Sequence, residues 1–362
     1  ATLAEAMEGA VGAPINTFDI SNAVYSQSFS VASQEAVPTG LAFNTDGTKM
    51  FVLGYLGQDV NEYTLSTGFD VSTASFVDAF SISAQDLTSF GIAFSTDGTK
   101  MFVVGATGQD VNEYTLSTGF DVSTASFVDS FSVAGQDTSP RDIAFNAAGT
   151  KMFIVGNAGQ DINEYTLSTG FDVSTSTFVD SFSVSAQDVA PLGIAFNTDG
   201  TKMFMAGSAN DSLYEYTLST GFDVSTATYV DSFSISAQDG EAYALRFNTD
   251  GSKMFIVGNT NDSVYEYNVG STYYTNKMDK TQLDAVTDPN HIALSNDLDL
   301  SIILNLTSGT TVPSSNGVAI NYDANIINKG AILGTDYDFD APATNKVRIT
   351  ALAANNLKVR VL

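Results

Sequence analysis

A phrase of strand–turn–strand character returns every 51 residues, five times, with no insertion or deletion. It begins at Gly40, Gly91, Asp142, Gly193 and Ala244, and reads GLAFNTDGTKMFVLG in the first copy and ALRFNTDGSKMFIVG in the last. A fixed period of this length dictates a fold of like units stacked side by side, because one such unit cannot bury its apolar face alone. Within a unit, Leu41-Ala42-Phe43 reads as a strand, Asn44-Thr45-Asp46-Gly47 as a tight turn and Lys49 to Leu53 as a second strand. The glycine supplies the positive φ that such hairpin turns need. Val60 to Leu65 reads as a third strand. After the loop STGFDVSTAS, Phe76 to Ile82 alternates as a half-buried fourth strand should.

The ends of the array indicate closure. Phe18 to Ala23 matches Phe69 to Ala74, and Tyr25 to Val31 matches Phe76 to Ile82, each displaced by one period. The array stops near Val269, after three strands of its fifth unit. The N-terminus therefore supplies a lone fourth strand and the last unit lacks one. A ring uses that surplus strand to complete the final blade and remove both open sheet edges. Residues 18–269 are expected to form an all-β, five-bladed β-propeller with four antiparallel strands per blade, closed by the N-terminal strand. The aromatic residues agree: 23 of the 25 Phe fall in five columns headed by Phe43, Phe51, Phe69, Phe76 and Phe80. A Met column headed by Met50 accompanies them. These columns are read as blade-to-blade packing, a large apolar burial at ~25 cal/mol per Å2.

Outside the ring, residues 1–17 read as a short arm or docking helix, ended by Gly12 and Pro14. Residues 270–280 read as a linker, and 281–362 as a small β-rich domain. Its expected strands are Leu298–Leu306, Val318–Tyr322, Ile332–Phe339, Val347–Leu352 and Leu357–Leu362. A domain this small favours association, with copies of itself (a trimer) or with a larger body. Charge is unevenly placed: residues 1–270 hold 7 Lys+Arg against 32 Asp+Glu, and 271–362 hold 7 against 9. Such an acidic ring repels nucleic-acid phosphates and anionic membranes. No apolar run is long enough to span a bilayer, so neither nucleic-acid binding nor membrane insertion is expected.

Catalytic options are few. The chain has no Cys and no Trp, and a single His, His291, outside the repeats. Nucleophile–base pairs and His-rich metal sites therefore lack their parts, and no cofactor is expected. Carboxylates remain. Glu35, Asp86, Asp137, Asp188 and Asp239 share one column, in the loop between consecutive units. As a circle they would suit a hard cation such as calcium; alternatively each caps its own turn. The turn acids Asp46, Asp97, Asp199 and Asp250 lack the spacing of a calcium loop, and the third copy has Ala148. Lys49 and Glu62, repeated in every unit, are expected to pair within each blade, worth under ~1 kcal/mol.

Variation is confined to one side. Strands alternate direction, so the NTDG turn and the STGFDVSTAS loop share a face, and they barely change. The loops near 54–59 and 86–90 share the other face, and they change freely. Position 39 and its equivalents read Thr39, Phe90, Arg141, Leu192 and Tyr243, with Tyr55 nearby. Loops on a rigid scaffold commonly carry binding, so Tyr55, Phe90, Arg141, Leu192 and Tyr243 are the candidate ligand-binding set. The alternative is drift in loops that nothing holds. Asp142 and Glu241 are the unit-specific acids on this side, the first to test for an enzyme.

The FxxDGTKMFVxG units resemble propeller repeats of virion and surface proteins of marine phages and bacteria. The near-identity of five units is similar to tachylectin-type lectins, and the terminal TSGTTVPSS and KVRITAL stretches resemble small β modules of phage fibres and spikes. These resemblances imply a non-enzymatic virion-surface protein, such as a tail fibre, spike or capsid decoration. Residues 1–17 or 281–362 would dock it to other virion proteins, and the ring would meet a host glycan or protein. The alternative is a secreted or cell-surface bacterial lectin or adhesin; a propeller hydrolase or lactonase is the third reading.

Overall fold

The computed structural model describes residues 18–269 and, beyond them, the backbone of five short strands between Ile292 and Val361. The first blade comprises β2 (Pro38–Phe43), β3 (Lys49–Gly54), β4 (Asp59–Leu65) and β5 (Ala74–Ser81). The second holds β6 (Ser89–Phe94), β7 (Lys100–Gly105), β8 (Asp110–Leu116) and β9 (Ala125–Ser132); the third, β10 (Pro140–Phe145), β11 (Lys151–Gly156), β12 (Asp161–Leu167) and β13 (Ser176–Ser183). The fourth holds β14 (Pro191–Phe196), β15 (Lys202–Gly207), β16 (Ser212–Leu218) and β17 (Ala227–Ser234). The fifth joins β18 (Ala242–Phe247), β19 (Lys253–Gly258) and β20 (Ser263–Asn268) to β1 (Val24–Ser30). That last pairing is antiparallel, from Val24 opposite Asn268 to Ser30 opposite Ser263. The ring is thus a five-bladed propeller closed as the repeat register requires.

Cohesion lies between blades. One apolar cluster joins Phe51, Leu53 and Val60 of the first blade to Ile92, Met101 and Tyr114 of the second. Phe51 meets Phe94 at 4.5 Å between ring centroids, and Phe43 meets Phe255 of the fifth blade at 4.6 Å. The two constant loops lock together. Gly47 has φ +71°, and a Cβ there would stand 2.3 Å from the Phe69 ring. Phe69 itself adopts φ 57° and donates its N–H to the Gly47 carbonyl at 3.0 Å. No residue but glycine fits beneath that ring in that conformation.

The Lys–Glu pairs form in every blade, and they reach further than expected. Lys49 Nζ lies 2.7 Å from Glu62 Oε1 and donates at 2.6 Å to the carbonyl of Phe120, in the next blade. The other oxygen of Glu62 accepts the N–H of Val122 at 3.0 Å. Lys202 and Glu215 likewise hold Phe18 and Ile20, so the N-terminal segment is fastened as any other blade loop is. Each Glu is almost fully buried, which removes the pair from the weak surface class.

The outer strand departs from expectation. β5 starts at Ala74, and Phe76 and Val77 are 43% and 50% exposed. Glu62 pairs with Asp78 and Tyr63 with Phe76, so Val77 is the extra residue of a bulge. Phe80 packs against Tyr114 of the next blade, whereas Phe76 touches Tyr63 of its own. A bulged, twisted rim is a common way to blunt exposed sheet edges.

In the terminal region, β21 (Ile292–Ala293), β23 (Ala319–Tyr322) and β24 (Lys346–Thr350) form one small sheet in the order β21-β24-β23. β22 (Leu300–Asn305) pairs with β25 (Asn356–Val361). The arm 1–17, the linker 270–280, His291 and the expected strand at 332–339 lie outside the described residues. No helix among the described residues is long and apolar enough to cross a membrane.

Candidate functional site

Each inner strand carries an irregularity at the variable column. Pro38 pairs with Gly54 and Gly40 with Leu53, leaving Thr39 as the extra residue. Phe90, Leu192 and Tyr243 hold the same place, and Arg141 lies in the equivalent irregular stretch of β10. Bulges of this kind re-aim a side chain out of the ladder. Here Phe90, Arg141 and Tyr243, from three blades, come together, and Tyr55, in the turn after β3, joins them. The Tyr55 and Phe90 rings are 5.9 Å apart, and Phe90 lies parallel to Tyr243, within 5°, at 6.2 Å. The Arg141 guanidinium carbon stands 4.0 Å above the centre of the Phe90 ring. All four side chains are half-buried. Leu192 and Thr39 are buried; Thr39 donates its hydroxyl to the Ser89 carbonyl at 3.0 Å.

Arg141 is chemically distinct from the other cations. The repeat region holds seven Lys and Arg, and six of them form ion pairs: the five column lysines and Arg246. Arg141 has no carboxylate partner among the described residues. Its Nε is buried without an acceptor. Burial pulls its pKa down, and the nearby Tyr243, Asp137 and Tyr55 push back. Burial likewise raises that of Tyr243.

Beneath this cluster the axis is plugged. Arg246, on β18, makes two 2.8 Å bonds to the fully buried carboxylate of Asp142 on β10. It also donates to the carbonyls of Ile194 and Ile92, at 3.0 Å each. One guanidinium thus ties four blades across the axis. Asp142 was named from the sequence, with Glu241, as a first acid to test for an enzyme; the structure shows it fully engaged. Both its oxygens are consumed, by Arg246 and by the N–H groups of Ile143 and Ile194. Arg246 itself was missed, although it breaks a column otherwise Ala42, Ala93, Ala144 and Ala195, just as Asp142 breaks one otherwise Gly40, Gly91, Gly193 and Ala244. Glu241 is exposed and accepts from Asn259 at 3.0 Å.

The acid column is engaged with the backbone. Asp86 accepts the N–H of Thr88 at 2.6 Å and of Gly108 at 2.7 Å; Glu35 accepts from Val37 at 2.6 Å and Gly57 at 2.7 Å. Asp137 does the same with Ser139 and Gly159. Asp188 and Asp239 also take the hydroxyls of Tyr214 and Tyr265 at 3.2 Å. Each carboxylate therefore ties the loop between blades to the β3–β4 type hairpin. Among the described residues, no three acidic or His side chains converge on a point that suits a metal ion. In the first three blades a second acid, Asp59, Asp110 or Asp161, sits close by. Burial, with the column carboxylate adding to it, holds its pKa above the ordinary range. The turn acids cap their own turns: Asp46 accepts the Thr48 N–H at 3.0 Å and hydroxyl at 2.6 Å, which lowers its pKa.

No family model matches the chain, and no curated protein matches it. Among solved structures it is similar to a provisionally named 6-phosphogluconolactonase of Bacteroides uniformis, at 12% identity and TM-score 0.42, over 63% of this chain and 65% of that one. It is similar to the periplasmic gluconolactonase PpgL of Pseudomonas aeruginosa at 14% identity and TM-score 0.40, over 64% and 66%. A third likeness is to the Cps50 (Swd1) β-propeller domain of Myceliophteria thermophila, at 9% identity and TM-score 0.40, over 68% and 99%. The chain spans less than two thirds of the length of the two lactonase-type structures. At these values the likeness carries no chemistry across.

Proposed function

We propose that the ring is a non-enzymatic binding module that engages its ligand at the variable mouth, through Tyr55, Phe90, Arg141 and Tyr243. One observation carries this reading: three positions of the divergent column, Phe90, Arg141 and Tyr243, meet with Tyr55 in one cluster, where Arg141 lies over the Phe90 ring with no ion-pair partner among the described residues. Aromatic and Arg side chains of this kind are frequent anchors of recognition. A hydrolase reading finds no support at the axis, because Asp142 is locked by Arg246. The setting we assign is display on a surface, that of a virion or, alternatively, of a bacterial cell. The resemblance of the repeats supports that setting. Other virion proteins would be met through residues 1–17 or 281–362, and a host glycan or protein through the mouth.

The test is attachment of the purified, labelled chain to bacterial surfaces and immobilised glycans. R141A combined with Y243A removes attachment while the melting temperature stays near that of the parent. The control S123A, on the constant face, leaves attachment unchanged. Equal attachment by the double variant would sink the reading.

A further inference from the structure

The chemistry of the mouth narrows the ligand, on the premise that the mouth is the binding site. Arg141 has unspent hydrogen-bonding capacity: no described residue accepts from its guanidinium, and the Nε is buried without a partner. The guanidinium as a whole belongs to a half-buried side chain set over the Phe90 ring. The hydroxyls of Tyr55 and Tyr243 also make no hydrogen bond to a described residue. Both rings belong to the same cluster as Phe90. The mouth thus offers a planar cationic fork, two free phenol hydroxyls and three ring surfaces within one small patch. The fork matches a carboxylate, which accepts two parallel N–H bonds. The phenols match a hydroxyl-rich body, and the rings offer flat apolar surface for the C–H face of a sugar.

Charge sets the upper limit. Residues 1–270 carry 32 acidic against 7 basic side chains, and the exposed Glu241 acts on Tyr243. A polyanion would be repelled by that field. A single negative charge placed on Arg141 escapes most of this, because the guanidinium is the nearest charge to it. We infer that the mouth recognises a sugar residue bearing one carboxylate, bound by Arg141 with Tyr55 and Tyr243 as hydroxyl partners and Phe90 as the floor under the guanidinium.

The experiment uses the full chain and calorimetric titration. The probes are methyl β-D-glucuronide and the methyl glycoside of N-acetylneuraminic acid, each compared with its own carboxyl methyl ester, with inorganic sulfate as competitor. The acid is expected to bind at least about tenfold more tightly than its ester, the ~1.4 kcal/mol that a charge-assisted pair supplies. R141A abolishes the acid–ester difference, and R141K, which keeps charge but not the fork, reduces it. Y243F keeps the ring and weakens acid and ester alike. Esters that bind as well as acids, or a preference that survives R141A, overturn the inference. Equal displacement by sulfate overturns the sugar part of it. If neither probe binds while surface attachment still depends on Arg141, the ligand class is wrong and the binding mouth stands. If attachment does not depend on Arg141 either, both fall.

Discussion

Replacing Arg246 by Ala is the sharpest test of how the ring is held. Asp142 is fully buried, and among the described residues its carboxylate is neutralised only by this guanidinium. In R246A it keeps two backbone donors, Ile143 and Ile194, at 2.8 and 2.9 Å. An uncompensated buried charge costs about 3–5 kcal/mol. For a ring of this size each kcal/mol moves the melting temperature by about 2–4 °C, so R246A should melt about 6–20 °C lower. D142G should be milder. Arg246 would retain the carbonyls of Ile194, Leu245 and Ile92 at 2.7–3.0 Å, and it is 16% exposed. We expect a cost of about 1–2 kcal/mol.

The double variant D142G/R246A restores to these columns the Gly and Ala that other blades carry, and it removes both charges together. It should return to within about 1 kcal/mol of the parent, since replacing a whole buried pair is often close to neutral. Differential scanning calorimetry on the four proteins gives the coupling directly. A loss below about 1 kcal/mol in R246A, or a double variant no better than R246A, would refute the idea that the pair is a mutually dependent plug.

Two further outcomes follow from the carboxylates. D86N should lower stability by about 1–3 kcal/mol without any added metal, because the amide sets a donor against the N–H of Thr88 or Gly108; if the loss appears only with millimolar calcium, the acid column is a cation site instead. The triple variant D59N/D110N/D161N should melt higher than the parent at pH 7. These acids are held above their ordinary value of 3.8, so the stability tied to their protonated form is present below that value and lost as pH rises through the folded pKa. The gap between variant and parent should therefore be largest at pH 7 and close towards pH 4. A gap independent of pH would refute the assignment.

The ring was legible because period and register are properties of the chain itself. The match of Phe18 to Phe69 predicts the strand exchange that Val24 to Ser30 performs. The two faces were legible too, from strand alternation. What a strict repeat conceals is which copy meets which. A Lys column and a Glu column look the same whether they pair within a blade or clamp the next one, and here they do both. The rim bulge at Val77 was hidden for a related reason: an apolar residue in an alternating strand gives no sign that the ladder skips it. The axial plug was the opposite case. Asp142 and Arg246 are visible as broken columns, but only the fold shows that those columns line the axis and face each other.

The loops also bear on why one face varies. The constant ones are held by a side-chain fit that every blade repeats, with the Phe69 ring seated against Gly47, where φ is +71° and a Cβ has no room. Change there is opposed by packing alone, so its sameness says nothing of function. The variable loops are held by the acid column through backbone N–H groups, which any side chain supplies. Such a scaffold tolerates replacement at position 39, and drift on it would tend towards small or polar residues that cost nothing when half-buried. The chain instead has Phe90, Arg141 and Tyr243 stacked across three blades, with one Arg donor left without an acceptor. That cluster, with two phenols that bond no described residue, is the physical ground on which we propose recognition at this mouth.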